Sequence, residues 1–192
     1  MGQKDDLLAG AKRCLVEKGY GRTTARDIAE ASGAHLGSIG YHYGSKDRLM
    51  NLAVLELSSD WGDTITRLVR EADGESPVER LAAALSAIRA TLPDTRDLQS
   101  ASIQAFAQAQ FDEGLREQFA VGATEARREF AALLTGKRGG GPEAPTVAEA
   151  GIGALAHALT VGLVAQFLID PDSLPEADQM KAALGLLAGG ND

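Results

Sequence analysis

An enzyme needs its acids, bases, nucleophiles or metal ligands at set spacings, and this chain of 192 residues carries no such set. Its three histidines, His35, His42 and His157, are scattered, and there is no His-Glu-x-x-His helix, no paired carboxylate and no nucleophile elbow. The single cysteine, Cys14, excludes an intrachain disulfide and a cysteine-rich zinc site and points to a reducing compartment, the cytosol. No cofactor or metal is therefore expected. The polar side chains that do stand together lie in one stretch near the N-terminus: Thr24, Arg26, His35, Ser38, Tyr41, His42 and Lys46. Of these, the hydroxyls of Thr24 and Ser38 and the cations Arg26 and Lys46 suit hydrogen bonding to phosphates and base edges.

What must position them is legible from Thr24 to Ile39. Thr24 with Asp27 three residues later forms a capping box that starts a short helix. Ala29 is small enough for a second helix to cross over it, Gly33 frees the backbone for a three-residue turn, and Ile28 with Ile39 ties the two helices together. This is the pattern of a helix-turn-helix whose second helix presents its outer face to a DNA major groove. Leu36, Gly37 and Ser38 fall on that face, where an apolar side chain can meet a thymine methyl and a hydroxyl a base edge. Arg26 can fork onto a guanine or a phosphate or pair with Glu30 one turn on. Thr24, a cap first, can also hold a phosphate at its helix start. Lys46 follows Ser45 at the start of the next helix, an unfavourable place for a cation that a phosphate would relieve.

Charge agrees with this location. The whole chain is acidic, net −8, yet residues 1–50 hold eight basic and six acidic side chains, net +2, leaving −10 for residues 51–192. Two domains with different partners are expected: a DNA-binding domain over 1–50 and a helical domain over 51–192, to which the resemblance below gives a regulatory role.

Beyond the motif, apolar residues recur at helical spacing, as in Val78, Leu81, Leu85, Ile88, Leu92 and in Phe111, Leu115, Phe119, Ala126, Phe130, Leu133. Further capping boxes are read at Ser76 with Glu79, Thr146 with Glu149 and Ser173 with Glu176. No period-two strand appears. The fold expected is all-α, roughly nine helices, with a long connecting helix from about Lys46 to Arg70, a possible bend at Gly62, and a loop from Gly136 to Pro145. The stretch Ala150 to Ile169 lacks any charge and is long enough to span a bilayer. Its Ala and Gly content, its His157, Thr160 and Gln166 and its flanking Glu149 and Asp170 argue for a helix buried in protein, not in a membrane. The polar residues from Met1 to Asp6 give no export signal.

Residues 4 to about 57 resemble the DNA-binding domain of the TetR family of bacterial transcriptional repressors. The resemblance runs through Glu17-Lys18-Gly19-Tyr20, Thr23-Thr24-Ala25-Arg26-Asp27-Ile28-Ala29, Gly33, Gly37-Ser38-Ile39 and Tyr41-His42-Tyr43-Gly44-Ser45-Lys46-Asp47-Arg48-Leu49. The chain departs from the family where His35 replaces the usual capping Ser and Gly40 precedes Tyr41. The resemblance implies a homodimer that reads a palindromic double-stranded DNA operator through its N-terminal domains and binds a small-molecule inducer in its C-terminal domain. It adds Tyr41 and His42 as base or backbone contacts.

Two further sets follow. Trp61, Phe106, Phe111 and Phe167 are most simply core, but beside Gln104 and Gln108 they also fit an apolar ligand pocket with few polar anchors, to which His157 and Thr160 on one helix face are added. In the family the last two helices pair with their symmetry mates. The small face Ala154, Ala158, Val161, Ala165, with Met180 and Leu184 on the final helix, would allow such an approach. The rival readings are a ligand-independent or activating regulator of the same fold, and a helical enzyme or carrier that contains a helix-turn-helix.

Overall fold

The structure is a computed structural model that describes residues 2–72, 74–137 and 145–189. Among them are nine α-helices and no strand: α1 (Gln3–Lys18), α2 (Ala25–Ser32), α3 (Gly37–Tyr43), α4 (Lys46–Glu71), α5 (Pro77–Thr91), α6 (Arg96–Gln108), α7 (Glu113–Thr135), α8 (Val147–Ile169) and α9 (Ala177–Leu187). They form two compact units, Met1–Asp60 with Thr95–Phe119, and Trp61–Asp94 with Ala120–Asp192. The chain passes from one to the other inside α4, which continues as helix through Gly62.

In the first unit, Leu7, Ala11, Cys14 and Leu15 of α1 are buried, as are Ile28, Ile39, Leu49 and Met50. Sequence spacing alone does not reveal Gly10. A Cβ there would stand 2.9 Å from the Ser32 Cβ and 3.1 Å from the Ile28 carbonyl oxygen, so α1 and α2 touch backbone to backbone where only glycine fits. Polar links close the joint: Lys18 pairs with Asp27 at 2.7 Å, and the Arg13 guanidinium donates to the Ala31 carbonyl.

In the second unit the same device recurs. A Cβ on Gly153 would overlap the Arg127 carbonyl oxygen and lie 3.1 Å from the Ala131 Cβ, which places α8 directly on the backbone of α7. Arg80 of α5 donates through Nε to the Leu134 carbonyl (2.8 Å), an acceptor that the end of α7 leaves open, and through Nη1 to the Gly74 carbonyl (2.7 Å) in the connection that precedes α5.

The boxes at Thr24, Ser76 and Thr146 form as read from sequence. The one at Ser173 does not. Ser173 ends a 3-10 turn, Pro171–Ser173, and α9 is capped instead by Glu176, with Gln179 returning to the Glu176 N–H at 2.8 Å. Pro175 intervenes and delays the helix. The periodicity that seemed to begin at Phe111 belongs to α7, which starts at Glu113. Phe111 itself lies in the turn before it. Of the expected Gly136–Pro145 loop, residues 138–144 lie outside the described residues.

α8 is long and apolar enough to cross a membrane by length and composition. One face, Gly153, Ala156, Thr160, Leu163, Val164 and Phe167, is buried in its own unit. The other is not covered within the chain: Ala154, Ala158 and Val161 are exposed, with Leu155 at 67%.

Candidate nucleic-acid interface

α2 starts from reciprocal bonds: the Thr24 N–H donates to Asp27 Oδ2 (2.7 Å) and the Asp27 N–H to Thr24 Oγ1 (3.2 Å). Lys18 and then the Thr24 groups hold the Asp27 carboxyl well below the usual carboxylate range, so the cap stays ionised. α2 stops at Gly33, whose left-handed φ of +67° lets its N–H and that of Ala34 return to the carbonyls of Glu30 and Ala29. The turn runs from Gly33 to Leu36, one residue longer than read from sequence, because Leu36 and not His35 precedes the first residue of α3. The cap carries no side-chain bond. The Ser38 and Ile39 N–H groups reach the carbonyls of His35 and Leu36 instead.

α3 fully buries Ile39 alone; Ser38, His42 and Tyr43 are half-buried, and Gly37, Gly40 and Tyr41 are exposed. Tyr41 is 86% exposed and Leu36 48%, while Ser38 is half-buried between them in sequence. Gly37 and Gly40 have nothing within 4 Å of a Cβ position, so the helix backbone itself is open along this face. Tyr41 stacks edge-on against His42 at 4.9 Å, and His42 Nε2 lies 3.3 Å from Gln3 Oε1. The Tyr43 hydroxyl donates to the Lys4 carbonyl at 2.7 Å, fixing the end of α3 on α1.

Arg26 is exposed and forms no ion pair with Glu30 among the described residues, which leaves its guanidinium open to an outside acceptor. Lys46 differs from expectation. Its ammonium donates to the Thr23 carbonyl (3.3 Å), pairs with Asp47 (3.2 Å) and lies 5.6 Å from the Tyr20 ring centre. The dipole penalty that suggested a phosphate is thus already relieved within the chain.

The eight pocket candidates are divided between the units. Gln104 and Gln108 line a cleft of about 410 Å³ in the first unit, but Phe106 and Phe111 are exposed, the former edge-on to Phe119 at 6.1 Å. In the second unit Trp61 donates to the Thr91 hydroxyl (2.9 Å), and Phe167 and Thr160 are core, the Thr160 hydroxyl spent on the Ala156 carbonyl at 2.9 Å. His157 is half-buried. Burial, with the Arg127 charge nearby, holds its imidazole below the ordinary value. Of the six pairing candidates, Ala154, Ala158 and Val161 are exposed, and Ala165 and Leu184 are half-buried. Met180, expected on the pairing surface, is instead buried in the core of its own unit, where α9 packs on α5. Exposed Leu186 and Leu187 take its place on the open surface.

A two-helix reading head with an exposed face, held by a third helix, defines a helix-turn-helix DNA-binding protein. Residues 7–53 match the model of bacterial regulatory proteins of the tetR family, and residues 77–189 match that of the BetI-type transcriptional repressor C-terminal domain. The chain belongs to the TetR family of transcriptional regulators and is not an enzyme. It is 32% identical over 66 residues to the transcriptional repressor AcnR of Corynebacterium efficiens, a match covering 34% of this chain and 35% of that relative's length. A transcriptional regulator from Rhodococcus sp. Rha1 superposes with a TM-score of 0.64 at 21% identity, covering 97% of this chain and 94% of the other. The multidrug binding protein EbrR, solved with proflavin, superposes at 0.66 with 18% identity, covering 97% and 99%. Both likenesses concern the fold.

Proposed function

We propose that the protein is a cytoplasmic, homodimeric repressor that reads a palindromic operator and is released from it by a small molecule. Residues 1–50 serve as the DNA-binding part and 51–192 as the regulatory part. The observation that carries the DNA reading is the exposed row Leu36, Gly37 and Tyr41 with half-buried Ser38, beside an exposed Arg26 that has no ion pair among the described residues. Ser38 and Tyr41 read base edges, while Thr24, Arg26, His35 and His42 hold the backbone. Lys46 enters as a phosphate contact that must give up part of its hold on Thr23.

Salt-dependent titration of labelled DNA from upstream of the protein's own gene tests this reading; retention that is indifferent to salt contradicts it. Lys46→Ala should lower the slope of log affinity against log salt by about 1 without changing sequence preference. If Lys46 serves only its internal bonds, thermal stability falls and the slope does not.

The dimer reading rests on the uncovered apolar row of α8 and on exposed Leu186 and Leu187 of α9, apolar surface of a kind that marks association when it is extensive. Ala158→Arg puts charge and bulk into that row. The expected result in light scattering is a folded monomer or aggregate, and a soluble folded dimer would remove α8 from the interface. Ligand control is supported by the likeness in fold to the multidrug binding protein EbrR, which was solved with proflavin. By linkage, whatever factor the ligand takes from operator affinity the operator takes from ligand affinity.

A further inference from the structure

The cleft that Gln104 and Gln108 line continues into a second lobe of about 430 Å³, and the two share Arg48, Asn51 and Asp112. One wall is the reading head: Tyr20, the start of α4 and, in the second lobe, His42 and Tyr43 of α3. The other is the end of α6 and the start of α7. All of it lies within the first compact unit.

Three features mark the shared centre. Asn51, which lines both lobes, is only 5% exposed; its Oδ1 accepts from the Tyr20 hydroxyl at 2.9 Å, and its amide N–H groups have no partner among the described residues. Burial, with the Asp47 charge, pushes the Tyr20 hydroxyl up to about 12, so it remains the donor in that bond and leaves the amide nitrogen for something else. Arg48 has no ion pair among the described residues. Asp112 has none either: one carboxylate oxygen accepts the Leu115 N–H at 3.0 Å, at the start of α7, and the other is open.

At the centre shared by the two lobes an exposed cation, Arg48, faces a half-buried carboxylate, Asp112, so a simple anion or cation meets a like charge there; Lys4 lines the second lobe, and Asp47, paired with Lys46, the first. We infer that the cleft binds a small zwitterion of the α-amino-acid type, its carboxylate on the Arg48 guanidinium and the Asn51 amide, its ammonium on Asp112. A guanidinium holds a carboxylate through two parallel bonds, which suits this end of the ligand. Gln104 and Gln108 face whatever side chain it carries. This deepens the ligand-controlled reading by giving the ligand a class and a place. It rests on that reading for its consequence, because an occupant that ties α4 to α7 alters the setting of α3 beside it.

Calorimetric titration of the full-length protein with each standard L-α-amino acid, up to about 10 mM, tests it. The result expected is binding by at least one of them, weakened about tenfold or more in its N-acetyl form, in its carboxamide form and in Asp112→Asn. That variant keeps the oxygen that caps α7, so folding is preserved. The bound amino acid should also shift operator affinity in the parent and not in Asp112→Asn. No binding by any amino acid, or binding that survives both blocked forms and the variant, overturns the inference. Operator affinity of the unliganded protein is measured separately. Its absence sinks the regulator reading, whereas its presence with an empty cleft sinks only this one.

Discussion

Gly153→Ala should destabilise the protein by about 3 kcal/mol, lowering its melting midpoint by roughly 6–12 °C for a chain of this size. The added Cβ has no free rotamer with which to escape: it would overlap the Arg127 carbonyl oxygen, a backbone atom, and crowd the Ala131 Cβ at 3.1 Å. Relief requires α7 and α8 to separate, which uncovers Leu133, Leu134, Leu163 and Phe167 to some degree. Gly122→Ala on α7 is the control. Nothing lies within 4 Å of its Cβ position, so it should gain up to about 1 kcal/mol from helix propensity. Thermal melts of the two variants beside the parent decide the matter; equal midpoints for Gly153→Ala and the parent would mean that α8 does not ride on the α7 backbone.

The second large effect falls on DNA. Tyr41→Ala removes the most exposed large side chain of α3 without disturbing Ile39, its only buried residue, and Ser38→Ala removes a hydroxyl from the same helix. Each should cost about 1–3 kcal/mol at the bases it contacts and less at operator variants already altered there. Competition binding across single-base variants of the operator separates this from a loss of folding, since an unfolded head would lose all sequences alike. If both variants rank the operators as the parent does, the reading face lies elsewhere.

The reading head was legible because each of its constraints is local. Thr24 and Asp27 satisfy each other across one turn, Gly33 supplies a left-handed residue, and Ile28 and Ile39 mark the inner faces. α6 was harder to see. Its buried positions are Leu98, Gln99, Ala101 and Ala105, three of them small or polar, so helical spacing leaves almost no apolar signal. Gly10 and Gly153 were invisible for a different reason: their meaning lies in a backbone distant in sequence, and a glycine inside a helix otherwise reads only as a weak point. Lys46 is the converse case. The helix dipole correctly marks the position as unfavourable, but the Thr23 carbonyl that relieves it comes from another part of the chain.

The division of Gln104 and Gln108 from Phe167 and Thr160 has the same origin. All four suggest a pocket by type, yet spacing cannot say that the first two meet Arg48 and Asn51 while the others close a core.

Selection of bound sequences from random duplex DNA by the full-length protein tests the central claim most directly. The account predicts enrichment of an inverted repeat, with half-site centres roughly 34–36 Å or a multiple of that apart, as two α3 helices related by a dyad require. Recovery of sequences with no shared motif, or of a motif without two-fold symmetry, would contradict it.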